Sequence, residues 1–254
     1  MKSVLPIAWL PCACVAGSLL IAGCALGPSQ RVEIPDIGRF SAGQPGEPLP
    51  GGWKPWSLTR FKRATEYHLV GEGGRTVVAA RAEGSASGLV YPIDVDPHAF
   101  PVLRWRWMVP ALIPGADNTQ GATEDSPARV VVAFAGDRKK LPLADRLFFT
   151  QFKLFTKSEL PYATLMYIWE SRVTEGAILA NPHTSRIRML VAESGQARLG
   201  QWVDEEHNLV EDYRRTFGEE PGRITAVGIL TDADNTGETA SAYYGDISLG
   251  PNGR

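Results

Sequence analysis

Cysteine is nearly missing from this chain of 254 residues: three occur, at positions 12, 14 and 24. Beyond Cys24 no thiol remains, which excludes a disulfide framework, a thiol nucleophile and a cysteine-ligated metal from the remainder. The four histidines, His68, His98, His183 and His207, are scattered and lack the His-Glu-x-x-His spacing of a zinc site. No Gly-x-Ser-x-Gly nucleophile elbow occurs. Gly71-Glu-Gly-Gly74 and Gly84-Ser-Ala-Ser-Gly88 have neither the lysine nor the strand–loop–helix setting of a phosphate loop. Charge of one sign is also lacking, with 26 basic and 28 acidic residues interspersed for a formal net charge of −2. The clustered basic footprint of a nucleic-acid binder is absent, so no nucleic-acid partner is expected.

Only one long uncharged run is present, Val4 to Leu20, preceded by Lys2 and followed by small residues, as in a secretory signal. The sequence Ile21-Ala22-Gly23-Cys24 at its end resembles the lipobox of bacterial lipoproteins. That resemblance implies diacylglycerol on the Cys24 sulfur, cleavage before Cys24 and acylation of the freed amine. The membrane partner is then reached through the lipid anchor, several acyl chains at about 0.8 kcal/mol per buried methylene holding where one would be marginal. Ala25 resembles the default for outer-membrane sorting in Gram-negative bacteria, so an outer-membrane lipoprotein facing the periplasm is expected. The alternative is an uncleaved membrane-spanning helix, which Pro6 and Pro11 would interrupt.

The expected division is a signal peptide over 1–23, a Gly/Pro-rich tether or strap over 24–50, and one domain over 51–250. Within that domain strand signals dominate. Leu103, Trp105, Trp107 and Val109 alternate with Arg104 and Arg106, which predicts a strand with an apolar and a cationic face. Arg129 to Phe134 is almost continuously apolar, as a strand covered on both faces would be. Further strands are predicted at 76–81, 89–95, 164–169, 187–192, 224–231 and 242–249. Leu143, Leu147, Phe148, Phe152 and Phe155 fall near helical spacing and predict one apolar stripe. Leu209 to Phe217 is punctuated as a helix by Asn208 before it and by Gly218 and Pro221 after it. The fold class expected is mainly all-β: an antiparallel, jelly-roll-like β-sandwich with two short helical insertions.

Several stretches together resemble a bacterial family catalogued as domain of unknown function 3047. They are Leu103 to Val109, Ala128 to Phe134, Asp212-Tyr213-Arg214 with Phe217-Gly218, Asp232 to Gly237, and Tyr243 to Ile247. The resemblance implies the extent of the domain and no activity. A looser likeness, at the level of fold only, is to carbohydrate-binding jelly rolls.

The cationic face supplies the first candidate site. Arg104 and Arg106 are two residues apart on one face, about 7 Å from each other, and guanidinium forks bind carboxylates bidentately. The bland alternative is an exposed face paired with neighbouring acids. Trp105 and Trp107, on the opposite face, read as core. Glu170, beside Trp169 at a strand end, is the third candidate ligand-binding residue. Asp232, Asp234 and Asn235, with Asp246, carry hard oxygen ligands that would suit a structural calcium ion. The twelfth position of that loop is Tyr243 rather than a glutamate, so a polar turn is the competing reading. The leading expectation is a lipid-anchored, non-catalytic binding domain for a glycan or other small anionic ligand. The alternatives are a glycoside hydrolase or polysaccharide lyase on the same scaffold, and a structural envelope protein that contacts other proteins.

Overall fold

The computed structural model describes Met1, Pro35 and residues 37–57, 63–156 and 159–252. The segment carrying the lipobox and Cys24 lies outside the described residues. In chain order the strands are β1 Lys54–Ser57, β2 Glu66–Glu72, β3 Arg75–Glu83, β4 Ala86–Val95, β5 Val102–Met108, β6 Ser126–Phe134, β7 Ala163–Glu170, β8 Ile178–Ala180, β9 Ile187–Ser194, β10 Val203–Asn208, β11 Ile224–Asp232, β12 Thr239–Tyr244 and β13 Ser248–Gly250. Two helices interrupt them, α1 Leu143–Thr156 between β6 and β7 and α2 Leu209–Phe217 between β10 and β11. Among the described residues no helix is long and apolar enough to cross a membrane.

The strands form a two-sheet, jelly-roll-like β-sandwich. One sheet has the order β1-β4-β11-β6-β7-β9-β8, the other β10-β5-β12-β3-β2 with β13 also on β5. Among the described residues all pairings are antiparallel except β7 with β9, which is parallel. The intervening strand β8 runs back along β9 and lets the chain re-enter the sheet in the same direction as β7.

Strand β5 follows its alternation. Leu103, Trp105 and Trp107 are buried, while Arg104 and Arg106 lie on the opposite face, half-exposed. Inside the sandwich Trp105 packs at 5.4 Å from Trp107 and 5.0 Å from Tyr167 of β7, ring centre to ring centre. Every residue of β6 is buried. Val130 and Val132 face the other sheet, and Val131 joins a second apolar cluster with Met166, Ile168, Met189, Val191 and Leu230 on the far side.

Both helices form as expected, but α1 turns differently. Its buried side carries Asp145 and Phe149, with Phe148 and Phe152 partly buried, whereas Leu143 and Leu147 face solvent. The predicted stripe had merged two faces. Asp145 is drawn inward because its carboxylate accepts hydrogen bonds from the Thr184 and Ser185 hydroxyls and the Ser185 amide. In α2 the Asn208 side chain caps the Val210 and Glu211 amides, and Gly218 takes the left-handed conformation at φ 71°.

Residues 37–50, part of the segment expected as a tether, run as an irregular strap on the domain. Phe40 is fully buried and stacks on Trp53 at 4.7 Å.

Candidate binding groove

The pairing of β10 with β5 sets up the groove. Glu206 lies opposite Arg104 and Asp204 opposite Arg106, so each outward arginine meets an outward acid across the ladder. Arg104 Nε donates to Glu206 Oε2 at 2.7 Å, and Arg106 Nε lies 3.5 Å from Asp204 Oδ1. The Arg106 guanidinium also sits over the Trp202 ring, 4.7 Å from its centre. Two glycines make this arrangement fit. A Cβ at Gly245 would come within 2.4 Å of Arg106 Cγ, and one at Gly250 within 2.9 Å of Arg104 Nη1. A side chain at 245 would force the Arg106 stem aside, whereas one at 250 would meet only the flexible tip of Arg104.

Above this ladder lies an open groove of about 500 Å³, which Arg75, Ser41, Asp246 and Ser248 help to line. Most of its charge is internally matched. Glu206 and Asp204 offset Arg104 and Arg106, and the Asp246 carboxylate accepts hydrogen bonds from the Ser41 amide and hydroxyl. What remains is donor capacity: among the described residues, neither the Arg75 side chain nor the terminal guanidinium nitrogens of Arg106 have a protein hydrogen-bond partner. Arg106 is therefore both paired with a local acid and open at its outer end.

Glu170 does not reach this groove. It is fully buried at the end of β7 in the other sheet, where its carboxylate accepts hydrogen bonds from the backbone amides of Arg172 and Val173. The expectation of a ligand-binding role is corrected: those turn donors would otherwise go unsatisfied, and Glu170 is a turn cap.

The expected metal quartet is also divided. Asp246 is in the groove on Ser41, and the Asn235 amide group donates to the Gly121 carbonyl. Asp232 and Asp234 instead meet Asp125, which the sequence reading had left unassigned, with carboxylate oxygens within 4.8 Å of one another. A cation already serves this cluster. The fully buried Arg129 grips Asp232 with Nε at 3.0 Å and Nη2 at 3.1 Å, and its Nη2 also donates to Asn118 and to the Glu124 carbonyl. Burial works against the charge on Arg129, but the Asp232 and Glu124 carboxylates hold its pKa above the ordinary value. Asp125 in turn accepts from the Asn235 and Thr236 amides and the Thr236 hydroxyl. These bonds tie the polar 232–238 turn to the loop before β6, which matches the turn reading of that segment.

A third polar group faces the interior. His207 stacks on Trp105 at 5.2 Å, and its Nδ1 lies 3.0 Å from Asp212 Oδ2, which also accepts from the Tyr167 hydroxyl. Glu205 Oε2 is 3.6 Å from the other imidazole nitrogen. Burial disfavours the charged ring, yet the two carboxylates outweigh it and raise its pKa to about 9. Sequence reading missed this set because its members lie on three elements.

The sequence profile of the family described as Protein of unknown function (DUF3047) matches residues 51–248. No curated protein matches the chain. Among solved structures, the family 11 carbohydrate-binding module of the cellulosomal cellulase Lic26A-Cel5E of Clostridium thermocellum is similar at 10% identity and a TM-score of 0.43, over 87% of this chain and 95% of that one. An arabinose-bound α-L-arabinofuranosidase, MgGH51, is similar at 9% identity and a TM-score of 0.41, over 86% of this chain and 26% of that one. A β-1,2-glucanase from Parabacteroides distasonis gives 12% identity and a TM-score of 0.32, over 79% and 23%. Likenesses this distant assign no ligand.

Proposed function

The chain belongs to the DUF3047 family, whose description assigns no activity, and from the groove we propose that it is a non-catalytic binding protein of the cell envelope for a glycan bearing acidic groups. Acyl chains on Cys24 anchor it, which mass spectrometry of the processed N-terminus tests. One observation carries the binding reading: Arg75 and the outer nitrogens of Arg106 are donors without protein partners at a groove large enough for a few sugar rings. Arginine suits this task because its planar fork meets a carboxylate with two parallel hydrogen bonds. Arg106 is pre-oriented by Asp204 and by the Trp202 ring, so little side-chain freedom is lost when a ligand arrives. Asp204, Glu205, Glu206 and Asp246 line the groove alongside the three arginines, so it is not cationic, which favours hydroxyl-rich ligands with isolated acidic groups over densely charged polyanions.

Titration calorimetry with an oligogalacturonate and with a neutral oligosaccharide of equal length tests this. The acidic sugar should bind with measurable heat, and Arg106→Ala should weaken it about tenfold or more, since a charge-assisted bond contributes roughly 1.5–3 kcal/mol. Equal affinity for both sugars, or an acidic sugar that binds Arg106→Ala unchanged, would remove the groove as the recognition site.

A further inference from the structure

The outward face of α1 is anomalous. Apart from Met1, the large apolar side chains exposed among the described residues are Leu143, Leu147 and Leu154, at 68%, 55% and 75% of full exposure. All three lie on one line of one helix. At 100° per residue they fall within a narrow sector with Thr150, directly opposite the buried Asp145 and Phe149. An ordinary surface helix would carry polar residues there.

Charge is concentrated beside this line. Lys139 and Lys140 precede the helix in a 3-10 turn, and Arg146 and Lys153 follow along its flank, all exposed. Arg138, Lys139, Arg146 and Lys153 line a hollow of about 310 Å³ next to Phe149 and Thr150. The acids nearby offset only part of it. Asp145 is buried on Thr184 and Ser185, and Glu159 pairs with Lys153 and Arg138. A net-acidic chain thus presents leucines flanked by cations in one place.

We propose that α1 docks on an anionic phospholipid bilayer, with Leu143, Leu147 and Leu154 among the acyl chains and the basic hollow over headgroup phosphates. The pattern is that of an interfacial helix, apolar on the side that enters the lipid and basic where it meets phosphate. A second copy of the chain is a poorer occupant, because a two-fold contact through this face would bring like charges together. The inference stands apart from the groove and from acylation of Cys24, since it rests only on α1 and the turn before it.

Amide hydrogen exchange tests it, with the full chain reconstituted in phosphatidylcholine vesicles and in vesicles where phosphatidylglycerol replaces part of that lipid. Exchange over 143–154 should slow several-fold in the anionic vesicles alone. The slowing should vanish in the triple variant Leu143→Ser, Leu147→Ser, Leu154→Ser and in Lys139→Glu with Lys140→Glu. Because these side chains are exposed, both variants should keep the wild-type melting temperature, which establishes that they are folded. The proposal is overturned by equal exchange in the two vesicle types, or by protection that grows with protein concentration without lipid, which would assign the face to self-association.

Discussion

The sandwich carries arginine–carboxylate pairs on both outer faces, and they do opposite work. On the seven-stranded sheet Arg129 is 1% exposed and its guanidinium is gripped by Asp232, Asn118 and the Glu124 carbonyl. On the six-stranded sheet Arg104 pairs with Glu206 and Arg106 with Asp204, and both keep part of their side chains in solvent. The chemistry is the same, but the surroundings differ. A loop closes over Arg129 and removes water, so its bonds hold the fold and cannot be exchanged for a ligand's. Over Arg106 the described residues place only the Trp202 ring on its guanidinium, and its outer nitrogens keep no protein hydrogen-bond partner.

The sharpest way to break the comparison is to truncate the buried arginine. Arg129→Ala leaves Asp232 charged and unpaired in the interior and should cost about 3–5 kcal/mol, read as a lower urea midpoint. Replacing both partners, Arg129→Met with Asp232→Leu, should cost less than either single change. An Arg129→Ala midpoint within error of wild type would show that the pair is no structural clasp.

The interior His207 comes next. Its folded pKa of about 9 stands above the ordinary 6.5, so its contribution is fully present below pH 6.5 and is lost as pH rises through 9. The loss is at most about 3 kcal/mol. Glu193, which burial pushes up to about 7, moves stability in the same direction at lower pH. His207→Gln should therefore flatten the fall in urea midpoint between pH 6.5 and 9 while leaving the change below it. A slope unchanged in that variant would assign the titration elsewhere.

The smallest stability effect belongs to the groove. Arg104→Ala breaks a half-exposed pair with Glu206 and should cost about 0–1 kcal/mol. A loss approaching that of Arg129→Ala would mean that the two faces do not differ as described.

Much of this was legible before any coordinates. The alternation along β5 put Arg104 and Arg106 on the face opposite Trp105 and Trp107, and the unbroken apolar run of β6 foretold cover on both sides. Asn208 and Gly218 marked both ends of α2. Strand β10 was not foreseen, because Val203-Asp-Glu-Glu-His-Asn208 is an edge strand whose acids answer β5 and which has no apolar alternation of its own. The parallel β7–β9 pair depends on a return through β8 that is three residues long. Asp125 joins Asp232 across more than a hundred residues, and the inward turn of Asp145 rests on Thr184, so neither could be read from local spacing.

The order of strands also bears on how the chain reaches this state. Strand β11 joins β1 and β4 to the rest of its sheet, and β12 joins β10 and β5 to β3 and β2. Both come near the end of the sequence. The seven-stranded sheet exists only as separate halves until residue 232 is available, and the other sheet until residue 244, with Trp107 and Tyr167 lacking their full enclosure. Early collapse therefore has no complete core to form, and folding waits on distant contacts whose loops are costly to close. A chain cut short anywhere before β12 would therefore hold two half-built layers and no sandwich.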